Sequence, residues 1–406
     1  MKMAGRKGRV AVAVGAAVVL LLTLGAGGGS AAQAQAPPES STAWVAVSGG
    51  GNHTCALKSS GRVFCWGRDD EGQVGNDDPP GGNRFYEPIQ LDGNANDWAQ
   101  VSSGGTHTCG LKTDGRLFCW GDDSSGQLGD GGSNTSTTTP VQVGTGRSWA
   151  FVSAGYGTTC ARKTNNRLFC WGSDLNGQLG DGGSNTDQGS PVQVSGNSTE
   201  WRQVSVGGGT VCARKVTGRL FCWGDDQDGE LGDGGTDTDQ NVPVEVAGAL
   251  TTWSSSFSAG ERNTCARKTG GRLFCWGSDI AGQLGDGGGE QDQGAPVQVS
   301  GGFTDWREVG VGNGHICARR ANGTLYCWGA DGSGQIGDGA DDGLQENGPA
   351  QVGGSTAWTT LDAGGDHTCA RKNSGRLVCW GRDFYGQIGD GADPGNPDQL
   401  SPIEVA

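Results

Sequence analysis

The most reactive side chains in this 406-residue chain are its fourteen cysteines. They form seven pairs whose members lie ten residues apart, as Cys109 and Cys119 do in TCGLKTDGRLFCWG. A zinc site needs closer pairs or added histidines, and a dithiol redox centre has only two residues between its thiols. We therefore predict one disulfide in each pair, with buried free thiols as the alternative. The predicted disulfides are Cys55–Cys65, Cys109–Cys119, Cys160–Cys170, Cys212–Cys222, Cys265–Cys275, Cys317–Cys327 and Cys369–Cys379.

The histidines also suggest chemistry, because imidazole is a frequent catalytic base and metal ligand. Each of them stands two residues before the first cysteine of a pair, and no serine or carboxylate recurs beside them as a catalytic partner would. We interpret them as one structural position and predict no catalytic residue. The histidines are His53, His107, His315 and His367, and the equivalent residues in the other repeats are Thr158, Thr210 and Asn263.

Aspartate-rich loops are a third candidate, because carboxylates bind calcium. The segment DDQDGELGDGG at 225–235 is typical of them, yet its spacing does not match the EF-hand loop. We predict no cofactor and no metal site, with calcium in these loops as the alternative. The aspartate of the recurring GDG tripeptide is predicted to cap a turn by bonding its own backbone. These aspartates are Asp130, Asp181, Asp233, Asp286, Asp338 and Asp390.

The elements that position these residues are repeated. The first cysteines recur every 51 to 54 residues, and one tryptophan precedes and one follows each pair. Each repeat contains four short apolar segments separated by turns, and 80 glycines disfavour helices. This period is typical of one propeller blade. We predict an all-β fold, a seven-bladed β-propeller with four short antiparallel strands and one disulfide per blade.

The central hairpin of a repeat can be predicted in detail. In KTDGR a three-residue loop requires a left-handed last residue, which is Gly115 here and Asn166 in the third repeat. Cys109 then lies directly opposite Cys119. Alternation places both cysteines on one face and Phe118 and Trp120 on the other. Both faces are apolar, as a blade between two neighbouring blades requires.

The strings RLFCWGSDLNGQLGDG and AG-x-x-x-T-C-A resemble the repeat of the regulator of chromosome condensation family, here of a secreted bacterial type. The resemblance covers all seven repeats and implies a seven-bladed β-propeller. Family members close the ring with a blade built from both chain ends. We therefore expect the last strand, 402–405, to complete the blade that contains Cys55 and Cys65.

The N-terminus is typical of a secretory signal peptide. Residues 1–9 carry four basic side chains, the run from Val10 to Leu24 is apolar, and small residues follow. We assign 1–36 to a signal peptide, 37–43 to a short linker and 44–406 to the propeller, and expect a secreted or cell-envelope protein. An uncleaved membrane anchor is the alternative.

Positions at which the repeats differ indicate where binding is specific to this chain. The first and last repeats, neighbours in a closed ring, carry arginine and aromatic residues where other repeats have small or polar ones. Arginine and aromatic residues are enriched at interfaces. We predict a binding patch, with sealing of the ring as the alternative. Its residues are Arg68, Arg84, Phe85, Tyr86, Arg382, Phe384 and Tyr385.

Removal of residues 1–36 changes the formal charge from −15 to −19, which disfavours nucleic acid and anionic membranes. We expect a monomeric, secreted, non-catalytic scaffold that presents its loops to a protein or glycan partner. The resemblance also includes exchange factors for a small GTPase, a role that export disfavours. The alternatives are a polysaccharide-acting enzyme in the propeller funnel and a secreted enzyme inhibitor.

Overall fold

The computed structural model describes residues 43–79, 81–132, 134–235, 238–248, 252–340, 345–392 and 398–406. These residues form seven four-stranded sheets, each built from strands that follow one another in the sequence. The predicted seven-bladed β-propeller is confirmed. The signal peptide at 1–36 and all of the linker except Ala43 lie outside the described residues. In the described part of the chain, no helix has the length and apolarity that a membrane crossing needs.

The strands are numbered β1 to β28, four per blade. Blade 1 contains β1 (Trp44–Gly49), β2 (His53–Lys58), β3 (Val63–Arg68) and β4 (Arg84–Gln90). Blade 2 contains β5 (Trp98–Ser103), β6 (His107–Lys112), β7 (Leu117–Gly121) and β8 (Thr137–Gln142). Blade 3 contains β9 (Trp149–Ala154), β10 (Thr158–Lys163), β11 (Leu168–Gly172) and β12 (Gln188–Gln193). Blade 4 contains β13 (Trp201–Val206), β14 (Thr210–Lys215), β15 (Leu220–Gly224) and β16 (Gln240–Glu245).

Blade 5 contains β17 (Trp253–Ala259), β18 (Asn263–Lys268), β19 (Leu273–Gly277) and β20 (Gln293–Gln298). Blade 6 contains β21 (Trp306–Val311), β22 (His315–Arg320), β23 (Leu325–Gly329) and β24 (Glu346–Gln351). Blade 7 contains β25 (Trp358–Ala363), β26 (His367–Lys372), β27 (Leu377–Gly381) and β28 (Gln399–Glu404). Short 3-10 turns at Asp92–Asn94 and Ser195–Asn197 lie in the connections to blades 2 and 4.

The first strands of the blades surround a central channel. Because the strands of a blade are antiparallel, the turn after its first strand and the loop between its third and fourth strands lie on the same side of the ring. We call this side the loop face. The opposite side carries the hairpin turns between second and third strands and the connections between blades, and we call it the hairpin face.

Each cysteine pair bridges the second and third strands of its blade. Cys109 lies directly opposite Cys119 in the ladder, as predicted, and all seven pairs have Cα–Cα distances of 4.0 to 4.1 Å. All fourteen cysteines form these disulfides, so the predicted pairing is confirmed. The hairpin turn also follows the prediction, because Gly115 has φ +83° and Asn166 has φ +62°.

Neighbouring blades pack through the two apolar faces of the hairpin. Cys109 and Leu117 of blade 2 lie in one buried cluster with Trp149 and Trp171 of blade 3. Trp120 instead packs toward blade 1, in a cluster with Cys55. Each cysteine face therefore covers the tryptophan face of the next blade, and burial of large aromatic surfaces supplies most of the cohesion of the ring.

The indole of the WG dipeptide also makes a hydrogen bond between blades. Trp120 Nε1 donates to the backbone carbonyl of Gln73 in blade 1 at 3.0 Å. The backbone approaches the indole closely here, since a Cβ on Gly75 would lie 2.6 Å from Trp120 Nε1. The last glycine of the GQLG motif, which is Gly75 in blade 1, is therefore required because the loop of one blade lies against the tryptophan of the following blade. Equivalent bonds involve Trp66, Trp171, Trp223, Trp276, Trp328 and Trp380.

The expectation that the last strand completes the first blade is wrong. β28 pairs with β27 in blade 7, and Ile403 lies opposite Cys379 rather than Cys65. Blade 1 has its own fourth strand, β4, in which Ile89 lies opposite Cys65. The physical reason is that each repeat, from its first tryptophan to its last strand, already contains a complete blade, so no sheet lacks an edge strand at either end of the chain.

The ring closes through side-chain packing and hydrogen bonds between blades 7 and 1. Trp44 and Trp66 share a buried cluster with Cys369 and Cys379. Trp66 Nε1 donates to the Gln387 carbonyl at 3.0 Å. This junction therefore contains the same packing as the other junctions, without a peptide connection across it.

Candidate functional site

The histidines link neighbouring blades inside the core. Thr108 donates its hydroxyl hydrogen to the Gln73 carbonyl, so it accepts a hydrogen bond from His53 Nε2 at 2.8 Å. His53 is buried, and its Nδ1 has no hydrogen-bond partner among the described residues. Burial, with His107 and His367 nearby, lowers the His53 pKa to about 3. A neutral imidazole held in one tautomer serves packing and does not reach solvent as a catalytic base would.

Equivalent bonds join His107 to Thr159, His315 to Thr368 and His367 to Thr54. Burial lowers the pKa of each of these three histidines to about 4. In blades without histidine the replacement residue bonds its own blade, as Thr158 does to the Ser173 carbonyl at 2.8 Å. All four histidines therefore have one structural role, in agreement with the repeat pattern.

The aspartates of the loop face cap turns. Asp130 accepts a hydrogen bond from the Gly132 amide at 2.7 Å, so the predicted bond to its own backbone is present. A second aspartate, two residues after each WG dipeptide, was missed by the sequence reasoning although every repeat has it. Asp69 accepts from the Val74 amide at 2.8 Å, and burial raises its pKa to about 6. Among the described residues, no group of three or more metal-ligating side chains is placed to bind an ion.

A ring of glycines surrounds the loop-face mouth of the channel. The Gly51 amide donates to the Gly104 carbonyl of the next blade at 3.0 Å, and a Cβ on Gly50 would lie 2.5 Å from that oxygen. Tyr156 departs from this pattern, since its hydroxyl donates across the mouth to Asn313 Oδ1 at 2.8 Å. Burial and the nearby Glu261 raise the Tyr156 pKa to about 12. The mouth is therefore bridged by one neutral side chain.

Two carboxylates that the sequence reasoning missed lie on the first strands. Asp362 replaces the serine found at this position in blades 1 to 5, and its Oδ2 accepts a hydrogen bond from the Gly49 amide at 3.0 Å. Burial raises the Asp362 pKa to about 7, and Glu308 contributes to the increase. Glu308 forms an ion pair with Arg319 at 3.2 Å, and burial raises its pKa to about 7. Each carboxylate has a structural partner, the Gly49 amide for Asp362 and the Arg319 guanidinium for Glu308.

The predicted patch residues meet at the junction of blades 7 and 1 on the loop face. The guanidinium of Arg84 lies 4.5 Å from the ring centroid of Phe384 and 4.9 Å from that of Tyr385. Arg84 also donates to the Phe384 carbonyl at 3.1 Å, and Arg68 lies 5.4 Å from the Tyr385 centroid. The two rings pack edge to face at 4.9 Å. We call Arg68, Arg84, Phe384 and Tyr385 the closure cluster.

The other three patch residues lie beside this cluster and have other contacts. Phe85 is partly buried against the cores on both sides of blade 1. Tyr86 packs on Gly386, where a Cβ would lie 2.7 Å from the tyrosine ring, and its carbonyl accepts from the Gly391 amide. Arg382 forms an ion pair with Asp366 of its own blade at 3.1 Å. These three residues seal or brace the junction, and the most exposed apolar side chain of the patch is Phe384, which belongs to the closure cluster.

Exposed apolar residues recur at one loop position of alternate blades. Phe384 is 54% exposed, and at the equivalent position Leu175 is 76% and Ile280 is 62% exposed. Blades 1, 2, 4 and 6 have Asp70, Ser124, Gln227 and Gly332 there. Alignment of the repeats carries this signal, which the sequence reasoning missed. Phe384 differs from the other two because the Arg84 guanidinium packs on its ring, so the closure cluster is the candidate binding site.

Comparison with known proteins agrees with this fold. The family model of the RCC1-like domain matches residues 21–315 and 100–406. The ultraviolet-B receptor UVR8 of Arabidopsis thaliana is 30% identical over 361 residues, which are 85% of this chain and 78% of the receptor. A human relative, the probable E3 ubiquitin-protein ligase HERC6, is 32% identical over 249 residues, 59% of this chain but only 24% of the ligase.

A solved structure supports the same architecture. Yeast RCC1 (Prp20), solved bound to Kap60, matches with a TM-score of 0.73 at 20% identity, over 85% of this chain and 83% of the yeast protein. At that identity the likeness concerns the fold. Together with the match to the family model over nearly the whole sequence, these comparisons confirm the family resemblance: the chain belongs to the RCC1-like domain family.

Proposed function

We propose that this protein is an exported, non-catalytic binding scaffold that docks a protein partner at the closure cluster. The observation that carries the proposal is the exposed Phe384 ring held against Arg84 and Tyr385. Aromatic residues and arginine provide large contact areas at low entropic cost and are frequent interface anchors. The relative from Arabidopsis thaliana is a receptor, which supports a binding role rather than an enzymatic one.

The surroundings of the cluster favour a protein partner over a polyanion. The basic residues of the loop face, as far as the structure describes it, are Arg68, Arg84, Arg262 and Arg382, and aspartates crowd its loops. Arg68 and Arg382 already pair with Asp70 and Asp366. A partner with an apolar anchor and basic rim would complement this surface. An inhibitor that captures a secreted enzyme is one form of this proposal.

Site-specific photocrosslinking in the producing cells tests this docking site. We replace Phe384 with p-benzoylphenylalanine and use Ile280, the equivalent exposed position of blade 5, as the matched control. We expect a discrete adduct from position 384, identified by mass spectrometry, and much less from position 280. Adding Arg84→Ala to the 384 probe removes the guanidinium beside the ring, and we expect adduct yield to fall at least fivefold.

Two outcomes contradict the proposed site. Equal adducts from positions 384 and 280 would show that the exposed apolar tips crosslink without specificity. A yield unchanged by Arg84→Ala would show that the guanidinium has no part in docking. Thermal unfolding of the Arg84→Ala protein ensures that a lower yield reflects binding and not loss of the fold.

Export is tested by the N-terminus of the protein that cells release. We expect it to begin at Gln35 or Pro37, after cleavage behind Ala34 or Ala36. The seven disulfides support this proposal because such bonds persist in oxidising compartments. N-terminal peptide sequencing of culture fluid and envelope fractions makes the measurement. An intact Met1 on cell-internal protein would contradict export.

A further inference from the structure

The two faces of the propeller carry opposite charges. Every described lysine and arginine except Arg68, Arg84, Arg262 and Arg382 lies toward the hairpin face, whereas most described carboxylates lie on the loop face. The acidic net charge of the chain therefore conceals a basic surface. Such a surface attracts anions at short range, because at physiological salt the field of the opposite face is screened within about 8 Å.

Most basic side chains at the outer part of the hairpin face already have partners. Lys58 lies over the Trp44 ring at 4.4 Å, and the corresponding lysine of most other blades stacks in the same way. Several others form ion pairs, such as Arg320 with Asp305 at 2.8 Å and Arg376 with Glu404 at 3.3 Å. These residues brace the hairpins and leave little charge for a ligand.

Five arginines nearer the channel differ from this outer group. They lie on the first and second strands of four successive blades, 3 to 6, where the strands reach the hairpin face. None of the five forms an ion pair with a carboxylate of the described chain. At the same positions blades 1 and 2 have Val45, Leu57, Ala99 and Leu111. We call the five residues the arginine arc: Arg162, Arg202, Arg214, Arg267 and Arg307.

The arc is assembled from half-buried and exposed members. Arg162, Arg214 and Arg267 lie half-buried between blades, and the Nε atoms of Arg162 and Arg267 are buried without a hydrogen-bond partner in the described chain. Burial and the neighbouring Arg202 lower the pKa of Arg162 and of Arg214, and burial with Arg307 does the same for Arg267. Within the described chain, Arg162 and Arg214 donate only to neutral acceptors, such as Asn166 Oδ1 at 2.8 Å and the Trp253 carbonyl at 2.7 Å. Positive charge without a carboxylate partner is thus concentrated on one side of the opening.

The chemistry of the arc favours a particular kind of anion. Guanidinium groups bind carboxylates through two parallel hydrogen bonds, and recessed groups are reached by a slender chain rather than a broad duplex. On the hairpin half of the described chain the large exposed apolar residues are Val216 and Ile403, neither of them aromatic, whereas the exposed Tyr156 and Phe384 lie on the loop face. The face therefore lacks the stacking platform of single-strand nucleic-acid sites and the aromatic anchors of protein interfaces.

We propose that the arginine arc binds an acidic polysaccharide whose uronate carboxylates pair with Arg162, Arg202, Arg214, Arg267 and Arg307. The polymer lies along the blade 3 to 6 side of the hairpin face, separate from the closure cluster on the loop face. The protein then has two binding faces, one for a protein and one for an anionic glycan.

Binding of fluorescent polygalacturonate to the full exported protein at 50 mM NaCl tests the proposal. The test variant Arg202→Gln/Arg307→Gln removes both exposed members of the arc. The matched control Arg167→Gln/Arg272→Gln removes two exposed arginines of the same face outside the arc, so both variants have equal net charge. We expect at least tenfold weaker binding for the test variant and less than a twofold change for the control, with a shallower salt dependence for the test variant only.

Three results would overturn the assignment. These are no binding of polygalacturonate at 50 mM NaCl, equal losses in the two double variants, or binding of single-stranded or duplex DNA as tight as that of polygalacturonate. The last result would replace the glycan with nucleic acid. An Arg84→Ala/Tyr385→Ala protein separates this site from the proposed protein interface, and we expect it to bind polygalacturonate like the wild type.

Discussion

The junction between blades 7 and 1 and the junction between blades 3 and 4 share an indole hydrogen bond but differ around it. Trp66 donates to the Gln387 carbonyl at 3.0 Å, and Trp223 donates to the Gln178 carbonyl at 2.9 Å. At the first junction Thr54 also donates to the Gln387 carbonyl, at 2.8 Å. At the second, Val211 occupies the threonine position and offers no hydroxyl.

The 7–1 junction has further contacts that the 3–4 junction lacks. His367 binds the Thr54 hydroxyl at 2.7 Å, and the closure cluster joins Arg84 of blade 1 to Phe384 of blade 7. In blade 3 the residue equivalent to Phe384 is Leu175, which is exposed. Blades 3 and 4 are also joined by the chain itself. The threonine and histidine bonds also occur at the 1–2, 2–3 and 6–7 junctions, two blades joined by the chain in each case. The arginine–aromatic contacts of the closure cluster are therefore what distinguishes the 7–1 junction in the described chain.

Removal of the indole donor should have the largest effect and separate the two junctions. We expect Trp223→Phe to lower the free energy of unfolding by about 3 kcal/mol, because the Gln178 carbonyl loses its side-chain donor and the core loses volume. Trp66→Phe should cost about 1 kcal/mol less, since Thr54 still donates to Gln387. Denaturant unfolding of the oxidised proteins measures both values.

The control for this pair is the double variant Thr54→Val/Trp66→Phe. It recreates at the 7–1 junction the environment of the 3–4 junction, and we expect its loss to reach or exceed that of Trp223→Phe. Equal losses for Trp66→Phe and Trp223→Phe would contradict the role given to Thr54.

The sequence predicts the repeated part of both junctions but not their differences. The constant spacing of Cys109 and Cys119 across a glycine turn determines the register of the hairpin, its disulfide and its two apolar faces. Side chains alternate between the two faces of a strand, so a shift of one residue would separate the cysteines. Closure was predicted wrongly, from the resemblance rather than the residues. Each repeat contains four strands of its own, and counting them from Trp44 to Gln90 places a complete blade at the N-terminal end.

The sequence predicted a surface site only where residues that differ from their equivalents in the other repeats lie close together in the chain. Phe384 and Tyr385 are adjacent in the chain, so their difference from other repeats is visible without a structure. Arg162 and Arg202 are tens of residues apart, as are Arg267 and Arg307, and the members of each pair become neighbours only when the blades are stacked. The net charge of the chain does not reveal these arginines either, because it adds the charges of both faces. Only topology separates the acidic face from the basic one.

The pH dependence of stability should also distinguish the two junctions. The folded-state pKa of His367 is about 4, below the ordinary value of 6.5, because burial disfavours the cation. Its contribution is complete above pH 6.5 and declines as the pH falls toward 4, since the unfolded chain takes up the proton first. At pH 5 the loss is about 2 kcal/mol.

The variant His367→Thr, which introduces the residue that blade 3 has as Thr158, measures this term. We expect it to lose about 2 kcal/mol less than the wild type between pH 7 and pH 5 in denaturant unfolding. Carboxyls with raised pKa values, such as Asp362, are common to both proteins and cancel in the difference. Thr158→Ser is the control and should show the wild-type pH dependence. Parallel pH profiles for wild type and His367→Thr would contradict a neutral buried imidazole.

The closure cluster should give the smallest effect on stability. Phe384→Ala removes the cation–π contact with Arg84 and the edge-to-face contact with Tyr385, and we expect a loss of about 1 kcal/mol. Leu175→Ala, at the equivalent position of blade 3, should change stability by less than about 0.5 kcal/mol. Denaturant unfolding at neutral pH compares them. If Phe384→Ala lowers the free energy of unfolding no more than Leu175→Ala does, the closure cluster does not stabilise the 7–1 junction. Partner docking would then be the remaining role for its arginine–aromatic contacts.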